Sequence, residues 1–194
     1  TGACSGCASN RQTPAADGDA AVSEPQPTVT DIPAFDADSA YAYVSRQVAM
    51  GPRVNNTPGH ARCERWLVEN LRRFGADTVI EQKATVHDHA GRPLDINNII
   101  ARFNTSASRR ILLLAHYDTR PTADQDPDPA NHDKPVPGAN DGASGVGVLM
   151  ETARQLGLTP PPVGIDILMT DAEDAGTDAG ENSELTWALG TQYF

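Results

Sequence analysis

The sequence predicts an α/β fold, because two strand-like segments flank a helical one. An apolar run at residues 110–115 precedes a helical pattern, and a second apolar run follows at residues 163–169. Strand, helix and strand in that order predict parallel strands joined by a crossover helix. The two runs lead into His116-Tyr117-Asp118 and into Asp171-Ala172-Glu173-Asp174. Ligands bind at the carboxyl ends of the strands in open α/β sheets, so these polar segments predict the functional site.

Length and charge limit the classes of function. The 194 residues suffice for one domain with a hydrophobic core. Fifteen basic and 26 acidic residues give a net charge of −11, which argues against nucleic acid as a partner. The acidity fits solubility, or a preference for substrates with a free amino terminus. No apolar run approaches the roughly 20 residues of a membrane helix, so we expect no transmembrane segment.

Residues 1–33 are predicted to be a disordered tether. They consist mainly of small and polar residues, with no aromatic residue, Leu or Ile before Ile32. Within this tether, the motif Cys4-x-x-Cys7 lacks the second ligand pair that a zinc or redox site would need. Small residues before each Cys instead resemble the processing site of a bacterial lipoprotein, with Cys4 or Cys7 carrying the lipid. The hypothesis is an exported protein, periplasmic or at the cell surface, that meets the membrane only through a lipid anchor.

The folded domain is predicted to cover residues 34–194 and to open with two helices. Asp36 is a suitable N-cap for the first, which Gly51-Pro52 ends. Thr57 can cap the second, and Gly75 stops it. Apolar residues recur at helical spacing in both: Tyr41, Val44 and Val48, then Cys63, Trp66, Leu67, Leu71 and Phe74.

A hairpin and a crossover helix follow. Residues 78–86 and 97–103 are rich in strand-forming residues, and a turn around Ala90-Gly91-Arg92-Pro93 separates them. The crossover helix is predicted to begin near Gly142. Its apolar face consists of Val146, Leu149, Met150, Ala153 and Leu156.

The Pro- and Asp-rich loop 120–138 is long enough to suggest a function. Aspartates at 124, 126 and 128 imitate the start of an EF-hand, but Pro129 replaces its Gly and Pro135 its final Glu. We therefore exclude a calcium site of that type. His132 in the same loop is either a metal ligand or, more simply, a surface histidine.

The adjacent acids Glu173 and Asp174 are the sequence feature that most specifically indicates a metal site with catalytic chemistry. Neighbouring residues at a strand end can point in different directions, so one carboxylate can bind a metal while the other moves protons. The Gly-rich segment 138–147 has neither a Gly-Lys pair nor a dinucleotide-binding pattern. Its glycines would let the chain turn sharply and place Asp141 against the metal. The alternative is a set of solvated acidic turns.

Several segments together resemble the zinc-dependent glutaminyl cyclases, the animal-type enzymes and their bacterial relatives, within the M28 peptidase fold family. The segments are residues 51–63, 116–121, 126–132, 138–146 and 187–194. The resemblance runs in register from Phe35 to Phe194. It implies a three-layer α/β/α sandwich with a mostly parallel central sheet. It also implies that this chain carries the N-terminal part of the domain and is truncated at its C-terminal end.

The resemblance also implies roles for single residues. Asp141 and Asp174 would bind zinc, and Glu173 would be the general acid/base. His116 matches a ligand of the second zinc in related two-metal aminopeptidases, whereas the cyclases use one zinc. Asp118 would orient His116 or the neighbouring loop. The third zinc ligand, a His, and a further catalytic Asp would lie beyond residue 194, so we expect this chain alone to be inactive.

The implied activity is cyclisation of N-terminal glutamine to pyroglutamate with release of ammonia, on peptides or proteins that begin with Gln. One zinc ion would be required. Two alternatives remain open. One is an M28 aminopeptidase with two zinc ions. The other is a non-catalytic surface lipoprotein with a degenerate M28 fold.

Overall fold

Eight helices and strands position the site in the computed structural model, which describes residues 32–194. In chain order they are α1 (Ala37–Ala49), α2 (Pro58–Arg73), β1 (Thr78–His87), β2 (Pro93–Phe103), β3 (Arg110–His116), α3 (Ala143–Leu158), β4 (Gly164–Thr170) and α4 (Leu189–Tyr193). Short 3₁₀ turns lie at Pro129–Asn131 and Ser183–Thr186. Cys4 and Cys7 lie outside the described residues, so the lipid anchor and the tether remain predictions.

Both predicted N-caps are present. The Asp36 carboxylate accepts hydrogen bonds from the backbone N–H of Asp38 (3.0 Å) and Ser39 (3.1 Å). The Thr57 hydroxyl accepts one from the N–H of His60 at 3.4 Å. Each bond satisfies a donor that the first helical turn leaves free. Gly75, with φ +85°, follows the end of α2 as predicted.

The four strands form one sheet in the order β1-β2-β4-β3. β3 and β4 are parallel and joined through α3, as the strand–helix–strand pattern predicts. β1 pairs antiparallel with β2, and β2 antiparallel with β4. The α/β class is confirmed, but the four described strands form a mixed sheet rather than a mostly parallel one. A hairpin reverses the chain between its strands, so β1 and β2 cannot both run parallel to β4.

One face of the sheet packs against α2 and α3 to form the core. The buried apolar residues on this face include Ile99, Ala101, Ile165, Ile167 and Met169 from the sheet, and Leu67, Leu71, Val146 and Met150 from the helices. α1 packs on the outer side of α3 at Gly147. A Cβ at that position would lie 2.7 Å from a methyl group of Val44 and 2.8 Å from the carbonyl oxygen of Ala40. Gly147 therefore allows the close approach of these two helices.

α4 lies on the opposite face of the sheet. Because Ile99 points into the core, its neighbour Asn98 points to the other side, where its amide donates to the carbonyl oxygen of Gly190 at 2.8 Å. Leu112 and Leu114 of β3 share this face and are about half exposed, at 49% and 50%. Within the described residues, α4 thus covers part of the face opposite α2 and α3. None of the helices described here is long and apolar enough to cross a membrane.

Candidate metal centre

The predicted site assembles where β3 and β4 end. His116 pairs with Thr170 in the parallel register, and the Tyr117 N–H donates to the Thr170 carbonyl oxygen at 3.0 Å. The segments that follow these strands therefore leave the same edge of the sheet. The loop before α3 brings Asp141 to this edge, where its Oδ1 lies 2.8 Å from Nε2 of His116.

Asp118 fixes the turn that carries the two adjacent acids. Its side chain is buried, and its oxygens accept hydrogen bonds from the backbone N–H groups of Glu173 and Asp174, both at 3.0 Å. Its Oδ1 also lies 3.4 Å from Nδ1 of His116, a distance typical of an ion pair. However, that ring nitrogen makes no hydrogen bond. Of the two roles predicted for Asp118, the contacts favour orientation of the loop.

The carbonyl side of the same turn is held by Ala188 and the first residues of α4. The carbonyl oxygens of Asp171, Ala172 and Glu173 accept hydrogen bonds from the N–H groups of residues 190, 189 and 188, at 3.0, 3.0 and 2.9 Å. Ala172 adopts a left-handed conformation with φ +47°, which costs a residue with a Cβ about 1–2 kcal/mol. These hydrogen bonds hold the strained turn that places Glu173 and Asp174.

His132 does not join this group. Its Nε2 lies 2.8 Å from the carbonyl oxygen of Asp126, within its own loop. That contact stabilises the loop and fits the simpler of the two interpretations, a histidine without a role in the metal site.

Asp171 is a buried carboxylate whose role the sequence did not reveal. It is fully inaccessible to solvent and makes hydrogen bonds of 2.8–2.9 Å. The donors are the side chains of Asn55, His60 and Tyr117 and the backbone N–H groups of Asn97 and Ala172. Such a set satisfies a charge that would otherwise be very costly to bury. These contacts tie α2, β2 and the end of β3 to the residue that begins the turn of Glu173 and Asp174.

The contact with Asp171 favours the charged form of His60. Burial lowers the pKa of His60, but the hydrogen bond and negative charge of Asp171 outweigh burial, and the pKa lies above its usual value. Because the folded-state pKa is raised, the stabilisation is fully present below the unfolded-state pKa of about 6.5. It is lost as the pH rises through the folded-state pKa.

We therefore expect the free energy of unfolding to fall above about pH 6.5 in the wild type, and to fall less in His60→Gln, which has no ionisable ring. Urea unfolding across this pH range measures both. His89→Gln, a change at an exposed histidine of the hairpin turn, should follow the wild type. If wild type and His60→Gln gave parallel curves, the ion pair would not contribute.

Negative charge accumulates around the predicted ligands. Burial, and then the carboxylates of Asp141, Asp118 and Glu173, raise the pKa of Asp174 to about 6. Burial also raises the pKa of Glu173, and the charge of His116 opposes the shift. The pKa of His116 rises to about 9, since neighbouring acids, Asp118 first, outweigh the effect of burial. A bound cation would relieve this crowding of carboxylates.

The donor atoms at this centre suit zinc, which takes imidazole nitrogen and carboxylate oxygen. Asp141 and Asp174 offer oxygen, and His116 offers nitrogen. Among residues 32–194, however, no three His, Cys, Asp or Glu side chains are arranged to hold a metal ion. The described residues thus fit zinc in chemistry and supply only part of a coordination shell, so a complete site needs a further ligand.

Comparison with known proteins decides the family. Residues 98–194, half of the chain, match peptidase family M28. The chain belongs to peptidase family M28. The matched part runs from β2 to the end of the chain and includes every residue of the site from His116 to Asp174.

Solved structures of M28-like fold are similar to this chain along most of its length. A glutaminyl cyclase from Tannerella forsythia is 51% identical, with a TM-score of 0.80. A Zn-dependent exopeptidase from Parabacteroides distasonis is 50% identical, with a TM-score of 0.81. Each alignment covers 84% of this chain and 56% of the other. A probable zinc metalloprotease from Pyrenophora tritici-repentis is 29% identical over 78% of this chain and 34% of its own length.

These matches confirm the predicted resemblance to bacterial glutaminyl cyclases and the fold class. They also associate the family with zinc, since two of the three relatives are named for it. The chain spans only about half the length of the solved relatives.

Proposed function

We propose that the full-length protein carrying this chain is a zinc-dependent glutaminyl-peptide cyclotransferase. It converts N-terminal glutamine to pyroglutamate and releases ammonia. The observation that carries the proposal is the 51% identity to a bacterial glutaminyl cyclase over 84% of this chain. The match to peptidase family M28, over residues 98–194, includes the turn of Glu173 and Asp174. The substrates are peptides or proteins with N-terminal Gln.

In this proposal Asp141 and Asp174 hold one zinc ion, together with at least one ligand outside the described residues. When bound, zinc polarises the carbonyl of the substrate's side-chain amide. His116 donates to the carboxylate of Asp141 at 2.8 Å and so orients a ligand, as outer groups commonly do around metals. Asp118 positions Asp174 through its hydrogen bonds to the backbone N–H groups of the turn.

Glu173 moves the proton. Its raised pKa brings it closer to neutral pH, where a group can both accept and return a proton. The substrate's α-amine nitrogen attacks Cδ of the glutamine side chain and loses a proton to Glu173. Glu173 then delivers this proton to the amide nitrogen as the Cδ–N bond breaks. Ammonia leaves, and the five-membered lactam remains at the peptide's amino terminus.

A cavity beside this turn can take the rest of a peptide substrate. It has a volume of about 480 Å³, within the usual range for small-molecule sites. Its lining includes Ala175 and Gly176, directly after Asp174, together with Arg120 and Asp124. The Arg120 guanidinium stacks over the ring of Trp187 at 4.7 Å, which restricts the position of the Arg120 side chain.

An M28 aminopeptidase is the second candidate, supported by the exopeptidase among the similar structures. In that case His116 would bind a second zinc, and the site would activate water instead of the substrate's own amine. A non-catalytic surface protein is the third candidate. It would form neither product.

Product analysis separates these candidates. We expect the full-length protein to release ammonia from a Gln-peptide, leaving a pyroglutamyl-peptide, and to release no free amino acid from a matched Ala-peptide. Metal analysis should find one zinc per chain, and His116→Ala should retain it. Free amino acid from the Ala-peptide, with two zinc ions of which His116→Ala loses one, would establish the aminopeptidase instead.

A further inference from the structure

Arg53 is a fully buried cation beside the metal centre. It takes no part in the chemistry proposed for the site, and the activities of the similar proteins do not explain it. It lies in the loop between α1 and α2, and its exposed fraction is 0%. An arginine side chain stays charged in proteins, so burying it requires several well-placed acceptors. Burial lowers the pKa of Arg53, and the nearby charge of Asp118 partly offsets this.

The guanidinium donates to backbone carbonyl oxygens of two separate segments. Nε donates to Tyr117 at 2.9 Å, between His116 and Asp118. Nη1 and Nη2 donate to Pro137 at 2.9 Å and Gly138 at 2.6 Å, just before Asp141. One side chain therefore joins the end of β3 to the loop that carries a predicted zinc ligand.

The backbone of Arg53 strengthens the same connection. Its N–H donates to the hydroxyl of Thr119 at 2.9 Å, and its carbonyl oxygen accepts from the Thr119 N–H at 3.3 Å. Gly138 fits against this cluster with φ +64°, and a Cβ there would lie 2.6 Å from Nη2 of Arg53. The packing therefore leaves no room for a side chain at position 138.

We propose that Arg53 is a positioning residue that presets the metal site by fixing the Asp141 loop relative to the end of β3. This rests on the proposed role of Asp141 as a zinc ligand. The Asp141 side chain is 65% exposed, and His116 contacts it at 2.8 Å, so its position also depends on the backbone of the loop that carries it. A lysine cannot replace Arg53, because one ammonium does not match the fork geometry of three carbonyls in two segments.

The test compares Arg53→Lys with Arg62→Lys in the full-length protein. Arg62 is the matched control, since it donates to one carbonyl of the same region, that of Met50, away from the site. We expect Arg53→Lys to raise the zinc dissociation constant by about 10–100-fold, as loss of supporting groups does around metals. Arg62→Lys should leave it unchanged. Competition with a chelator, far below the unfolding temperature, measures both.

Hydrogen exchange of the metal-free protein provides a second readout. The amides of Thr119 and Ala143, the latter bonded to the Gly138 carbonyl, should exchange faster in Arg53→Lys than in the control. Lower thermal stability or faster exchange with unchanged zinc affinity would reduce Arg53 to a structural role and overturn the proposal. Asp141→Ala tests the assignment of Asp141 as a zinc ligand separately from the role of Arg53. If it leaves zinc binding intact, the ligand assignment itself is wrong, and the proposal for Arg53 falls with it.

Discussion

Glu173→Gln in the full-length protein is expected to lower kcat for cyclisation by about 10²–10⁴-fold, the usual cost of losing a general acid/base. Gln has the same size as Glu, and the Glu173 side chain is 37% exposed, so the fold tolerates the change. The backbone N–H that donates to Asp118 is unaffected, so Asp174 keeps its position. Zinc content should therefore match that of the wild type. Steady-state kinetics on a Gln-peptide and metal analysis measure the two quantities.

Asp174→Ala is the contrasting variant. It removes a proposed ligand, so both zinc and activity should be lost. Glu181→Gln serves as the neutral control, because it removes an exposed carboxylate from the loop that follows the turn. If Glu173→Gln retained full activity, the proton would be moved by another group. If it lost zinc, Glu173 would be a ligand rather than a base.

The parts of the fold that depend on local chemistry could be predicted from the sequence. Asp36 and Thr57 cap helices through bonds to residues two or three positions away, so the necessary pattern is contained in a short window. The mixed sheet could not be predicted in this way. Which strand lies beside β4 depends on packing between segments more than sixty residues apart, such as Ile99 and Met169.

In the site, too, features that depend on local sequence could be predicted, and features that depend on contacts between distant residues could not. His116 and Glu173 could be placed together, because parallel neighbours end at one edge of the sheet. Whether Asp118 orients the imidazole or the turn could not be decided, since both lie within reach of its carboxylate. The buried roles of Asp171 and Arg53 could not be predicted for a different reason. Their partners come from distant positions, such as Asn55 for Asp171 and Pro137 for Arg53, and no local motif marks a buried charge.

Asp171 and Arg53 together explain how an acidic, partly exposed site keeps its shape. Arg53 secures the strand end and the Asp141 loop from one side. Asp171 secures the strand end and the Glu173 turn from the other, through Tyr117 and Ala172. Both are charged groups without solvent access, so removing one leaves several buried partners unsatisfied. Their loss should therefore affect the stability of the whole domain.

Asp171→Asn is accordingly expected to lower the free energy of unfolding by about 3–5 kcal/mol, the range for breaking a buried ion pair by removing one partner. The amide keeps the shape of the carboxylate but has only one acceptor oxygen, and its NH₂ group would face donors. The free energy of unfolding of a domain of this size is about 5–15 kcal/mol in total, so urea unfolding near neutral pH can measure this loss. Tyr117→Phe, which removes a single donor, should cost less, about 1–3 kcal/mol.

Two further variants show whether the effect belongs to the buried network. Asp124→Asn breaks a more exposed pair with Arg120 and should cost at most about 1 kcal/mol. In a double-mutant cycle, His60→Gln should cost less in the Asp171→Asn background than in the wild type, because its partner is already gone. Additive losses would mean that His60 and Asp171 act independently. A loss for Asp171→Asn no larger than that for Asp124→Asn would show that the buried carboxylate does not stabilise the site.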